Sequence, residues 1–316
     1  MSDIGFGTWS WGNRFLWGYN PLRDDYVLKE TFKTAISAGL NLIDTADSYG
    51  TGAFNGRSES LLGEFIQDLP PKDTNNLIVA TKLAPFPWRL GRRGLDKAFS
   101  QSKKRLRGKL DRAQLHWSTS RYAPWQESQL IDGLGDLVDK QLVSEIGVSN
   151  FGPNKIKLFH QKLSDRGIKL KSLQIQMSLL SPPDKRIINI CRELNIDLIA
   201  YSPLALGALC ISPEDEVPKT TILRSRLFKQ LLPKSEALRR EIKYISLNND
   251  SSPAQVAINW CKSLGAKPIP GIRSVEQALD ISRALSWDLT KKEVKKLNDL
   301  SSNCKARMPQ NPFCSD

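Results

Sequence analysis

Patterns for metal binding and disulfide scaffolding are missing from this sequence. Its five cysteines (Cys191, Cys210, Cys261, Cys304, Cys314) form no CxxC pair and share no ligand spacing with the two histidines. A zinc centre is therefore excluded, no metal is expected, and the thiols are expected to be reduced. No apolar run approaches the ~20 residues that a membrane-spanning helix needs. The first residues, MSDIGFGTW, lack a basic stretch followed by an apolar one, so no secretion signal is expected and a cytoplasmic setting is the expectation. Nucleotide fingerprints are also wanting. Ser10 stands where the third glycine of GxGxxG should follow Gly5 and Gly7, and Gly133 and Gly135 sit inside a helical pattern. With no P-loop and no HExxH either, the sequence does not support a doubly wound dinucleotide fold, P-loop hydrolysis or zinc proteolysis.

Charge of one sign is in excess, yet it is not concentrated. The formal net charge of +13 is spread along amphipathic segments, and the densest cluster (Lys103, Lys104, Arg105, Arg107, Lys109) reads as a helix end, where cations suit the dipole. No recognition motif accompanies it, so nucleic acid is not an expected partner, whereas an anionic cofactor or substrate would be attracted. With 40% hydrophobic and 25% charged residues over 316 positions, the chain can bury a core as one α/β barrel domain spanning 1–316.

What is present is a strict alternation. Strand-like apolar runs fall at 4–9, 41–45, 77–82, 113–116, 144–149, 173–176, 197–201 and 267–270. Segments with apolar residues at helical spacing, such as Leu28, Phe32, Ala35 and Ile36, separate them. Alternating β and α units require a parallel sheet, and eight can close into a (β/α)8 TIM barrel. Ser252-Pro253 reads as a helix start and Gly39 as a helix stop. The proline-bearing segment 202–233 reads as a long loop over a site, and 286–316 as a tail with an extra helix near 292–300.

Functional groups in such folds gather where strands end. The second run ends in Asp44, with Tyr49 just beyond; the third ends in Lys82 and the fourth in His116. A tyrosine beside a lysine that is paired with an aspartate suits carbonyl reduction. The ammonium stabilises the phenolate, so the tyrosine can donate a proton well below its free pKa of about 10. A neutral imidazole can orient the carbonyl by hydrogen bonding.

With those residues in place the chain resembles the aldo-keto reductase family over its whole length. The resemblance is carried by FGTW, DTADSYG, the GxSExLLG pattern at Gly56, Ser58, Glu59, Leu61, Leu62 and Gly63, then ATK, LHW, IGVSNF, AYSPLALG and PIPGIRSVEQA. It implies NADPH-dependent reduction of an aldehyde or ketone, with Tyr49 as general acid, Lys82 and Asp44 tuning it, and His116 orienting the carbonyl. It further implies that Ser149, Asn150 and Gln174 hold the nicotinamide carboxamide and that Tyr201 stacks on the ring. Ser202, Leu204 and Gly207 would pass beneath the pyrophosphate. Gly271, Ile272, Arg273, Ser274 and Gln277 would surround the 2′-phosphate, Arg273 being its charged partner. Ile281 stands where many members carry an asparagine toward adenine. Within the family, GFGTWSWGN, QLHWSTSRYAPWQE and PIPGIRSV are similar to the pyridoxal-reducing branch of plants and cyanobacteria. Trp9, Trp11, Trp17, Trp88 and Trp117 would then crowd the barrel mouth and stack on a flat aldehyde. A broad reductase of reactive carbonyls, and an NADPH-sensing subunit resembling potassium-channel β-subunits, are the alternatives. Because the first strand run begins so early, the bottom of the barrel is expected to be less covered than in relatives that open with a β-hairpin. The oligomeric state is not legible.

Overall fold

The computed structural model describes residues 3–312, 314 and 315. All eight expected strands form: β1 Gly5–Gly7, β2 Leu42–Asp44, β3 Ile78–Leu83, β4 Arg112–Leu115, β5 Glu145–Ser149, β6 Leu170–Gln176, β7 Asp197–Tyr201 and β8 Ala266–Ile269. They pair in sequence order, every pair parallel. Closure comes from the Gly7 amide, which donates to the Pro270 carbonyl at 2.9 Å, and from a parallel bridge between Gly7 and Gly271. Helices follow the strands on the outside. Five of them (Pro21–Ser37, Pro71–Asn76, Pro124–Asp139, Pro153–Ser164 and Pro253–Ser263) open on proline, which has no amide hydrogen to leave unsatisfied in a first turn.

Outward strand residues such as Ile43, Val79, Leu115, Val148 and Leu173 are buried against the helices as the main core. Inward positions are different. The interior holds the small apolar cluster Leu42, Ile199 and Ile269 beside a polar group built from Asp44, Lys82, Gln114, Ser149, Ser172 and Gln174, all buried. Small residues are needed where strands converge: a Cβ on Gly147 would sit 2.2 Å from the Ser172 hydroxyl.

One expectation is corrected. The segment 202–233 is not a plain loop. A short 3-10 stretch, Ala205–Cys210, and a helix, Ile222–Leu231, lie within it. The prolines 203, 213, 218 and 233 flank these elements, and Thr221 caps the helix by accepting from the Arg224 amide. Charged side chains occupy the bottom of the barrel. Arg112, Glu145, Lys171, Asp197 and Lys267, at the starts of β4 to β8, interlock there as ion pairs, with Arg112 only 1% exposed. The extra C-terminal helix is present as Lys291–Asn303, with a capping box between Thr290 and Glu293.

Candidate active site

Because strand residues alternate in facing, Asp44, Lys82, Gln114 and Gln174 all point into the barrel at its carboxyl end. Asp44 collects them. It accepts from Lys82 Nζ at 2.5 Å, Gln174 Nε2 at 2.7 Å and Gln114 Nε2 at 3.4 Å. The ammonium also donates to the Thr45 carbonyl at 2.7 Å. Over it lies Tyr49, its ring centroid 4.7 Å from Nζ, and His116 meets that ring edge-on with centroids 5.8 Å apart. The His116 Nδ1 atom is 3.3 Å from the Ser48 hydroxyl.

Burial governs the proton affinities here. The Lys82 pKa is lowered by burial, against which Asp44 first, then Asp47 and Glu59, raise it. His116 is pushed well below the usual imidazole value by burial and then by the Lys82 charge, so it is neutral near pH 7. Tyr49 is pushed well above 10, by burial first and then by the Asp44 carboxylate. That direction reverses the expectation of a phenol lowered by lysine. Lys82 lies under the face of the ring and directs its hydrogen bonds to Asp44 and the Thr45 carbonyl.

A cavity of about 910 Å³ opens above this group. Ser149, Asn150, Gln174, Tyr201, Ser202, Leu204, Gly207, Gly271, Arg273 and Gln277 line it, as do Asp44, Tyr49, His116 and Ile281. Asn150 Nδ2 donates to Ser149 Oγ and to the His116 carbonyl, each at 3.1 Å, and the Tyr201 hydroxyl donates to Asn150 Oδ1 at 2.8 Å. Several lining residues are held in left-handed backbone: Asn150 (φ 65°), Ser202 (φ 53°) and Leu206 (φ 56°). Such strain concentrates where a ligand must approach closely. Ile272 and Ser274 do not line the cavity. Ile272 is buried in the core with its carbonyl accepting from Trp11 Nε1, and Ser274 caps the helix Val275–Arg283.

The tryptophans divide. Trp9, Trp17 and Trp117 line the cavity, Trp117 standing 4.8 Å from the His116 ring. Trp11 does not: it is wholly buried between Phe6 and Phe65, because the turn after β1 folds it inward under its bond to Ile272. Trp88 does not either. It stacks on Phe86 with its other face in solvent, 73% exposed.

Sequence reasoning missed other residues of the cavity. Ser48 carried a signal, since it immediately precedes Tyr49. Arg224 carried none, being one cation in a basic helix. Its guanidinium lies 4.5 Å from the Trp17 ring while that of Arg273 lies 5.9 Å from the same ring. Arg224 Nε is buried with no hydrogen-bond partner among the described residues. Two guanidiniums and an unused donor fit an anionic group at that end of the groove. The tail residues Met308 to Pro312 also line the cavity, with Asn311 Nδ2 3.5 Å from the Tyr201 hydroxyl.

The family model described as the aldo/keto reductase family matches residues 3–302. The chain is 46% identical over 320 positions to "Pyridoxal reductase, chloroplastic" of Arabidopsis thaliana, covering 99% of this chain and 87% of that protein. It is 33% identical to the "Uncharacterized oxidoreductase Mb2320" of Mycobacterium bovis, covering 88% and 82%. In structure it is similar to the thermostable aldo-keto reductase Tm1743, with TM-score 0.72 and 24% identity over 95% of both chains. No helix among the described residues is long and apolar enough to cross a membrane.

Proposed function

This chain belongs to the aldo/keto reductase family, and from that premise we propose that residues 1–316 form one NADPH-dependent reductase that converts an aldehyde, preferentially pyridoxal, to the alcohol. The observation that carries the reading is the Tyr49–His116 pair at the cavity floor, seated on the buried Asp44–Lys82 ion pair.

A reduced nicotinamide supplies the hydride when bound. Ser149, Asn150 and Gln174 would hold its carboxamide and Tyr201 would cover the ring. Arg273 and Arg224 offer the charge-assisted donors that a 2′-phosphate requires, which favours NADPH over NADH. The protein's own part is to bind, orient and protonate. His116 is neutral; in the tautomer whose Nδ1 accepts from the Ser48 hydroxyl, Nε2–H would hydrogen-bond the substrate carbonyl. Tyr49 gives its phenolic proton to the oxygen as the carbonyl carbon accepts hydride, and regains one from water. Tyr49 is protonated near neutrality, as a proton donor must be, and the developing negative charge on the substrate oxygen draws that proton across. Trp117, beside His116, and Trp9 offer rings against a flat heteroaromatic aldehyde, each stacking contact adding about 0.5–1.5 kcal/mol beyond burial, whereas Trp17, under Arg224 and Arg273, lies toward the anion end of the groove.

The test is NADPH consumption against pyridoxal, pyridoxal phosphate, methylglyoxal and a nitrobenzaldehyde. The expected result is highest kcat/KM for pyridoxal. Better turnover of the small or generic aldehydes would leave a general carbonyl reductase and remove the pyridoxal assignment.

A further inference from the structure

The helix Arg57–Gln67 lies outside the barrel, yet its first turn is tied to the ends of three strands. Ser58, wholly buried, is the hub of one set of bonds. Its hydroxyl is 3.0 Å from Thr45 Oγ1 and donates to Thr8 Oγ1 at 2.6 Å, and Thr8 Oγ1 donates to the Asp44 carbonyl at 3.1 Å. Thr45 is the residue whose carbonyl receives the Lys82 ammonium. Glu59, also wholly buried, is the hub of the other. One carboxylate oxygen accepts from the Thr81 hydroxyl, next to Lys82 in the chain, and the other accepts from Arg105 Nε at 2.7 Å.

Burying a carboxylate is expensive, and an apolar residue would join helix to strand at lower cost. The fold makes specific room for this one. Gly63 lets the helix approach the end of the helix Gly91–Arg105 so closely that a Cβ there would lie 2.2 Å from the Arg105 carbonyl oxygen. That approach delivers the Arg105 side chain to Glu59.

We propose that Ser58 and Glu59 are positioning residues for the reaction: Ser58 holds Thr45, whose carbonyl receives the Lys82 ammonium, and Glu59, held by Arg105, fixes Thr81 beside Lys82 and places a further buried carboxylate near the ammonium. The groups facing Lys82 are Asp44 on β2, Asp47 and Tyr49 on the following loop, His116 beyond β4 and Glu59 on the helix. Arg89 is paired with Asp47 and Arg105 with Glu59. Glu59 is among the groups that raise the Lys82 proton affinity against burial, and His116 is the neighbour that Lys82 acts on.

This inference rests on the reductase reading, so its test includes a measurement that needs no turnover. The Lys82 ammonium is titrated in the full chain by NMR of 13Cε-labelled lysine, the signal being assigned by its loss in Lys82→Met. In Glu59→Gln the Lys82 titration, and with it the alkaline limb of kcat, is expected to move down by about half a pH unit or more. Glu59→Asp keeps the charge with a shorter reach. It should restore the titration while leaving kcat about tenfold low, and Ser58→Ala should lower kcat with the titration unmoved. An unmoved titration in Glu59→Gln overturns the charge role even if no aldehyde is ever turned over. Normal kcat in Glu59→Asp and Ser58→Ala, with only the melting temperature lowered, overturns the positioning role. Should Glu59→Gln fail to fold, those two variants decide: a fall in kcat at unchanged cofactor KM supports the proposal, and an intact kcat sinks it.

Discussion

At the lower rim of the barrel three cations, Arg112, Lys171 and Lys267, interlock with two carboxylates, Glu145 and Asp197, whereas at the upper rim one ammonium, Lys82, is paired with Asp44, and Asp47 and Glu59 are paired with Arg89 and Arg105. Both ends therefore bury charge. At the bottom each carboxylate has at least two cations within 4.0 Å, and most of the partners are about a fifth to a quarter exposed. Asp197 is correspondingly held below its ordinary pKa by Lys267, Lys171 and Arg112, although burial opposes them. At the top, burial wins: Tyr49 rises, Lys82 falls and His116 falls. Charge is paired at both ends, and it is at the deeply buried end, where the proton affinities of Tyr49, Lys82 and His116 are shifted, that acid–base chemistry is expected.

The largest test of that contrast is Tyr49→Phe. It removes a proton donor and no cofactor contact, so kcat should drop by about 10³-fold or more with cofactor affinity nearly unchanged, as read from steady-state kinetics and NADPH fluorescence titration. Unchanged turnover would make the top of the barrel as inert as the bottom.

Next in size is a matched pair of stability measurements. Lys82→Met strands Asp44 in the interior with only carboxamide donors, and denaturant unfolding should register a loss of about 3–5 kcal/mol. Arg112→Met leaves Glu145 and Asp197 with their lysines and partial solvent, so about 1–2 kcal/mol is expected. Equal losses would erase the distinction between the two ends.

Arg273→Ala addresses the far end of the groove. It should weaken NADPH by about 10–100-fold and NADH far less, measured as dissociation constants. Equal weakening of the two would show that Arg273 does not serve a 2′-phosphate.

The smallest effect is in acid. Asp47 is raised to about 6 by burial against Arg89, so the folded chain takes up a proton there before the unfolded chain does. Its contribution to stability is greatest below the unfolded value of 3.8 and is lost as pH rises through about 6. Asp197, with a lowered pKa, contributes in the opposite sense: its stability is present above the ordinary carboxylate range and is lost as pH falls through the folded pKa. Asp47→Asn should therefore steepen the loss of melting temperature between pH 6 and pH 4, and an unaltered slope would deny Asp47 any such role.

The sequence by itself determined the barrel, because parallel strands buried on both faces and helices with one apolar stripe leave few ways to pack, and the eight runs were legible with boundaries off by a few residues. It also located Asp44, Tyr49, Lys82 and His116, since polar residues that end apolar runs must emerge at one rim. It did not reveal which tryptophans face the cavity. Trp9 and Trp11 differ by two positions, and only the turn after β1 decides that one lines the mouth while the other is buried under the Ile272 carbonyl. Nor could it reveal Arg224 over Trp17, the ion pairs under the barrel, or the Arg105–Glu59 pair bonded to Thr81. Those depend on contacts between residues tens of positions apart. Whether a charge is paired, buried or left facing a cavity depends on distance and dielectric, which only the tertiary structure supplies.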